Sequence, residues 1–177
     1  MNKRSWLAKL SLFSFQCSFI FAQSDTTCHS IISTNNDRMT GEVSIDQIEP
    51  SIAKDSVNGY TIAMKFRYLY SQKDIFMVLR IIGSNISCIE EYSDVYFLFE
   101  DGSRSTMTNR NKFNCQGQAL LRFDDIFDGR RHVDILSKKN VIAIRVNGMN
   151  SYYECDFTKA ESIRFKQSLR CIKNNIH

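Results

Sequence analysis

Residues 95–107 read VYFLFEDGSRSTM and carry the strongest structural signal in the chain. An alternating apolar run leads into Asp101-Gly102 and a more polar run returns from it, which is the pattern of a β-hairpin. If Asp101 and Gly102 form a two-residue turn, Glu100 lies opposite Ser103 and the numbers of paired residues sum to 203. The stretch therefore predicts an antiparallel sheet and one specific register.

The same register places two cysteines opposite each other, because the numbers of Cys88 and Cys115 also sum to 203. A disulfide needs Cβ atoms about 3.5–4.5 Å apart, which facing residues can approach. Strict alternation puts the pair at a hydrogen-bonded site, where Cα atoms lie about 5.5 Å apart. A bulge near residues 92–94 would shift the count. We predict a Cys88–Cys115 disulfide.

The first 22 residues have the pattern of a secretory signal peptide. Lys3 and Arg4 precede an apolar run over residues 10–21, and Ala22 offers a small residue at the cleavage edge. The run is shorter than the roughly 20 residues that a membrane span needs. We predict export with cleavage; an uncleaved anchor, whose signal segment would be the only membrane contact, and a lipid anchor on Cys17 are the alternatives.

Removal of residues 1–22 changes the charge of the chain. Lys+Arg falls from 23 to 20 against 19 Asp+Glu, so the net charge falls from +4 to +1. A nearly neutral chain offers no long-range field for nucleic acid, which we exclude as a partner. Trp6 is removed as well, so that ligand stacking would fall to tyrosines at strand edges, where packing is the alternative role. The candidates are Tyr92, Tyr96, Tyr152 and Tyr153.

Apolar alternation or density predicts further strands. They lie at residues 60–70, 75–82, 118–127, 141–146 and 151–157. Ile31 and Ile32 are expected to pair with Val43 and Ile45 across a turn at residues 35–37. Residues 49–59 break the pattern and predict a loop or a short helix.

Two helices are predicted late in the chain. Asp128 is a candidate cap for a short helix that ends near Lys138, with Val133 and Leu136 as its apolar contacts. Thr158 and Glu161 match a capping box, in which each side chain accepts from a free backbone N–H. The helix that follows ends near residue 173 and carries an apolar stripe at Phe165, Leu169 and Ile172.

Together these elements predict one α+β domain over residues 23–177. Its core is a twisted antiparallel sheet of about six to eight strands, with two helices in the C-terminal third. Residues 23–40 are polar and form a candidate mobile segment.

Five cysteines remain after residue 22, so at least one is unpaired within the chain. Cys155 and Cys171 are unlikely partners on geometric grounds, since they flank a predicted helix about 21 Å long. The residual thiols would act as buried apolar groups.

Sites for catalysis or metals are not predicted. His29, His132 and His177 lack metal spacing, and no C-x-x-C occurs. The acidic residues 124–129 fail the calcium-loop pattern because Ile126 and Ile135 stand at ligand positions. Residues 51–54 match S-x-x-K without the accompanying K-T-G. We predict no cofactor and no catalytic residue.

Several stretches together carry a resemblance: residues 37–42, the hairpin to Gly102, residues 115–117, residues 141–145 and the helix capped by Thr158. In these the chain resembles a group of small exported bacterial proteins of unassigned function, common in species with an outer membrane. The resemblance covers most of residues 37–173. It implies a periplasmic or cell-surface setting and carries over no catalytic or binding residue.

The sequence therefore predicts a non-catalytic, exported binding or interaction module. Its partner would be an unknown protein or glycan of the cell envelope or extracellular space. The alternative is a small extracytoplasmic hydrolase or an enzyme inhibitor; a hydrolase would need an enclosed pocket that holds His132 with an acid and a nucleophile. A purely structural domain is the third option.

Overall fold

The structure is a computed structural model that describes residues 28–123 and 129–176. Over these residues it contains ten β-strands and two α-helices, preceded by a 3₁₀ turn at Cys28–Ser30. In chain order the elements are β1 (Ile32–Asn36), β2 (Val43–Gln47), β3 (Ser51–Lys54), β4 (Thr61–Leu69), β5 (Asp74–Ile82), β6 (Asp94–Phe99), β7 (Arg104–Thr108), β8 (Gln118–Arg122), α1 (Gly129–Lys138), β9 (Val141–Asn147), β10 (Tyr152–Phe157) and α2 (Lys159–Asn174).

Every strand pairing is antiparallel, and the sheet branches at β4. One path runs β1-β2-β4-β3-β10-β9-β6-β7, while β5 pairs with the other side of β4 and β8 pairs with β5. β2 and β3 share one side of β4, β2 next to residues 67–69 and β3 next to residues 61–64. The predicted α+β class, with both helices late in the chain, is confirmed. No helix within the described ranges is long and apolar enough to span a bilayer.

One face of the sheet carries the helices and the core, and we call it the inner face. Alternation in β4 turns Ile62, Met64, Phe66 and Tyr68 inward. Phe165 of α2 packs against rings from three strands. Its centroid lies 4.9 Å from that of Phe66, 6.2 Å from Phe97 and 5.6 Å from Phe157. Neither described helix lies on the opposite, outer face.

The predicted hairpin is present as β6 and β7, but its register differs by one residue. Val95 pairs with Met107 and Leu98 with Arg104, so paired numbers sum to 202. The loop has three residues instead of two, because the Gly102 N–H donates to Phe99 O at 2.9 Å and Gly102 adopts φ +78°. This is the loop with a left-handed glycine that competes with the two-residue turn.

The disulfide between Cys88 and Cys115 is present, because the register shifts back beyond the hairpin. Ile89 pairs with Asn114 and exchanges both backbone hydrogen bonds with it, at 2.8 and 3.1 Å. The cysteines therefore occupy the adjoining non-hydrogen-bonded position, where Cα atoms come closer; theirs are 3.9 Å apart. The expectation of a hydrogen-bonded site is wrong.

The remaining differences from the sequence predictions concern β1, β2 and β3 near the start of the described chain. Residues 51–54 form β3 instead of a loop or helix; its inward residues, Ser51 and Ala53, are too small to produce an apolar alternation. β1 and β2 form the expected hairpin, but Ile32 pairs with Gln47, and Ile45 pairs with Thr34. β3 adds a strand that the sequence pattern does not indicate, and the sheet described has ten strands instead of about six to eight.

Both helices begin near the predicted positions. Asp128 lies outside the described residues, as does the predicted signal segment, while Val133 and Leu136 are buried as expected. Thr158 Oγ1 accepts from the Glu161 N–H at 3.2 Å. Glu161 Oε2 accepts from the Ile52 N–H at 3.0 Å, so this carboxylate ties α2 to β3 instead of completing the capping box.

Candidate functional site

The outer face of β4, β5 and β8 carries a depression of about 840 Å³. Pairing across these strands forms two rows of side chains, Arg67–Phe76–Arg122 and Lys65–Val78–Leu120. The loops before β6 and after β7 add Tyr92 and Arg110 to its rim. We call this depression the arginine cleft; the residues that matter below are Arg67, Phe76, Val78, Tyr92, Arg110, Leu120 and Arg122.

The floor of the arginine cleft is apolar and is exposed mainly at Val78, since Phe76 is only 7 % exposed. Val78 is 43 % exposed although its strand is paired on both sides, with β4 and with β8. Phe76 and Leu120 flank it on the same face. The guanidinium of Arg122 lies 5.4 Å from the Phe76 ring centroid, so a cation and an aromatic ring share the floor.

Two of the arginines are held by carboxylates. Arg67 Nε donates to Asp46 Oδ1, and Arg122 Nε donates to Asp74 Oδ2 at 3.1 Å. Burial alone would raise the pKa of Asp46, but hydrogen bonds from Arg67, Asn35 and Ser44 outweigh it and hold that pKa below its usual value. These ion pairs fix the positions of the guanidinium groups.

Two further cations border the cleft on the same face. Lys65 pairs across the strands with Val78, and Arg80 lies two residues from Val78 along β5. Both side chains are exposed, and neither forms an ion pair with any residue that the structure describes. The face therefore has a local excess of positive charge, in a chain that is nearly neutral after residue 22.

Tyr92 is held in an unusual backbone conformation on the rim. Its φ is +66°, a left-handed value that is rare for a bulky residue. Its N–H donates to Asn109 O at 2.9 Å, its side chain is 61 % exposed, and the Arg110 guanidinium lies 5.7 Å from its ring. Backbone strain that persists at an exposed aromatic residue is typical of a functional site.

Asn109 and Arg110 are brought to the cleft by the edge of β8. Leu120 N donates to Asn109 Oδ1 at 2.9 Å, and Arg110 N donates to Leu120 O at 2.7 Å. The segment after β7 is therefore bonded directly to β8. This is how Tyr92 and Arg110 reach a face formed by distant strands.

The other candidate tyrosines occupy different places. Tyr96 and Tyr152 lie on the outer face of β6, β9 and β10, where Tyr96, Arg145 and Glu154 line a smaller depression of about 200 Å³. Arg145 lies 4.5 Å over the Tyr152 ring and is paired with Glu154. The Tyr96 hydroxyl donates to Asp94 at 3.0 Å, and this bond raises the pKa of Tyr96.

Tyr153 belongs to the core and is removed from the stacking candidates. It is only 2 % exposed, and its ring packs edge-on against Tyr60 at 5.0 Å. Its hydroxyl accepts from the Ser87 N–H. Alternation along β10 turns Tyr152 outward and Tyr153 inward.

His132 forms a close contact with a serine. Ser105 Oγ lies 2.8 Å from His132 Nδ1. Ser105 is only 6 % exposed and faces inward from β7 toward α1. The pair satisfies the hydroxyl of a serine at the edge of the core.

The other cysteines among the described residues form a second disulfide and leave one free thiol. Cys28 is bonded to Cys171, a pairing that no local pattern indicated. Cys155 is free and buried, and burial raises its pKa to about 11, so it is a poor nucleophile near neutral pH. Within residues 28–123 and 129–176 no group of three His, Cys, Asp or Glu could hold a metal.

The sequence patterns do not single out the basic residues of the cleft as a site. The alternation in residues 60–70 does place Lys65 and Arg67 on the polar side of β4, so part of the signal was present. Arg110 and Arg122 carry no such signal, because only the pairing of β5 with β8 brings them close.

Comparison with known proteins adds no relationship: no family model, curated protein or solved structure matches the chain.

Proposed function

We propose that this protein is a non-catalytic, exported binding module that engages a protein or glycan of the cell envelope or extracellular space. The arginine cleft is the observation that carries this proposal. An apolar floor with Val78 exposed at its centre, bordered by arginines and an exposed tyrosine, has the composition of a recognition surface.

Export is supported by two observations. Residues 1–22 have the pattern of a signal peptide. The described residues contain two disulfides, which are consistent with an oxidising compartment. The resemblance to small exported bacterial proteins agrees with this setting.

Hydrolysis is the second candidate, and the contact between Ser105 and His132 is what favours it. A serine nucleophile must reach a substrate carbonyl, and Ser105 faces the core. A fluorophosphonate probe tests this candidate directly. We expect no labelling; labelling that is lost in Ser105→Ala would establish the hydrolase instead.

Affinity capture tests the binding proposal. The protein, produced from the full sequence, is immobilised and exposed to envelope and culture-medium fractions of the cells that make it. We expect a retained component that, once purified, binds saturably in calorimetry. If no fraction contains a saturable binder, the proposed function is contradicted.

A further inference from the structure

We propose that the arginine cleft binds an acidic polypeptide segment that carries an apolar side chain. This inference rests on the proposed binding function and names the class of partner. The charge, the apolar floor and the rim of the cleft support it.

The excess of positive charge on this face favours an anionic partner. Lys65, Arg67, Arg80, Arg110 and Arg122 lie on it or at its rim, against Asp46, Asp74 and Glu91. Asp46 and Asp74 already neutralise Arg67 and Arg122. Lys65 and Arg80 remain without an ion pair to a described residue, and both are neighbours of Val78, Lys65 across the strands and Arg80 two residues along β5. Carboxylates of a partner would form ion pairs with these two cations.

The apolar floor favours a partner that carries an apolar side chain close to its carboxylates. Val78 is 43 % exposed, and Phe76 and Leu120 lie beside it. None of these side chains can hydrogen bond to a sugar hydroxyl, so that a glycan ring placed over Val78 would leave the hydroxyls that face the floor unpaired. An apolar side chain instead loses only its contact with water. The floor therefore favours a peptide over a glycan.

The backbone of the rim is already fixed in the free protein. Tyr92 is held at φ +66°, and a backbone hydrogen bond to Asn109 fixes its position. Its ring and the Arg110 guanidinium form a wall beside the floor. The fixed backbone at Tyr92 lowers the entropic cost of binding, because this part of the rim needs no further backbone ordering.

Fluorescence anisotropy with synthetic peptides tests the inference. The probe is a labelled peptide of alternating glutamate and leucine. A glutamate–serine peptide keeps the charge and removes the apolar groups, and a lysine–leucine peptide reverses the charge. Oligogalacturonate and a single-stranded oligonucleotide serve as competitors from other chemical classes.

The key variant combines Lys65→Glu with Arg80→Glu. Its matched control combines Arg38→Glu with Lys159→Glu, two exposed cations outside the cleft with the same change in net charge. All four side chains are exposed, so thermal melts should show both variants folded.

We expect the glutamate–leucine peptide to bind saturably, and the cleft variant to weaken its Kd by at least about tenfold. The control variant should bind as the unchanged protein does, and Tyr92→Ala should weaken binding without reversing its charge preference. Added salt should also weaken binding.

The inference is overturned if the glutamate–serine peptide binds equally well, if oligogalacturonate or the oligonucleotide displaces the probe more effectively than the unlabelled peptide does, or if both charge-reversal variants behave alike. A partner that affinity capture retains equally on the cleft variant would overturn the inference and leave the binding function standing. Failure to capture any saturable partner would contradict the binding function itself.

Discussion

At the level of single side chains, Phe165 contributes most visibly to the stability of the fold. It is fully buried in α2 and contacts rings from β4, β6 and β10. Phe165→Ala should lower the free energy of unfolding by about 3–5 kcal/mol, because the cavity lies between three strands that cannot all move inward. Urea denaturation measures this loss.

Ile163 provides the control for that prediction, since it lies on the same helix and is 37 % exposed. Ile163→Ala should cost less than about 1 kcal/mol. Equal losses in the two variants would show that Phe165 is not the centre of the core.

Asp46 should make stability depend on pH in the acid range. Burial raises its pKa, but hydrogen bonds from Arg67, Asn35 and Ser44 dominate, and the net shift is downward. Since the folded pKa lies below the unfolded value of about 3.9, its contribution is present above about pH 4 and is lost as pH falls through the folded pKa.

Asp46→Asn should therefore destabilise the protein by about 1–3 kcal/mol at neutral pH, with a difference from the unchanged protein that narrows toward acid. Denaturation curves over a pH series measure this. Asp156→Asn removes an exposed carboxylate of β10 and serves as the control. A difference that stayed constant down to low pH would contradict the assignment.

At the level of helices and strands, the two disulfides differ in the length of the loop that each closes. Cys28–Cys171 ties the turn before β1 to α2 across 143 residues, and Cys88–Cys115 closes a span of 27. A longer loop loses more unfolded-state entropy when it is closed. The chain-entropy relation gives about 5 kcal/mol for the first bond and about 3.5 kcal/mol for the second.

Replacing both members of each pair by alanine tests this order. Cys28→Ala with Cys171→Ala should reduce the free energy of unfolding more than Cys88→Ala with Cys115→Ala. Equilibrium denaturation of both double variants, with the oxidised unchanged protein as reference, gives the comparison. The reverse order would mean that native contacts outweigh loop entropy here.

For the molecule as a whole, the continuous core predicts one cooperative unfolding transition. α2 packs against strands of the long path, and one buried cluster joins these strands to β5 and β8 through residues such as Met77 and Leu121. Far-ultraviolet circular dichroism and the near-ultraviolet signal of the buried tyrosines should therefore change together in urea. Separate transitions would show that the branches unfold independently.

Local patterns in the chain were sufficient for the long strands, the hairpin and the helices. The alternation of β4, the Asp101-Gly102 turn and the cap at Thr158 each depend on residues close in sequence. Side-chain direction alternates along a strand and repeats around a helix, whatever lies elsewhere in the molecule. The sheet and its inner face could therefore be read without coordinates.

Contacts between residues that are distant in sequence could be identified only from the tertiary structure. A one-residue difference in loop length moved the hairpin register, the small side chains of Ser51 and Ala53 concealed β3, and Cys28 meets Cys171 only because α2 returns beside β1. The arginine cleft arises in the same way, since β8 pairs with β5 and bonds to Asn109 and Arg110. Strand pairing depends on loop geometry and long-range packing, and neither is encoded in the period of a single segment.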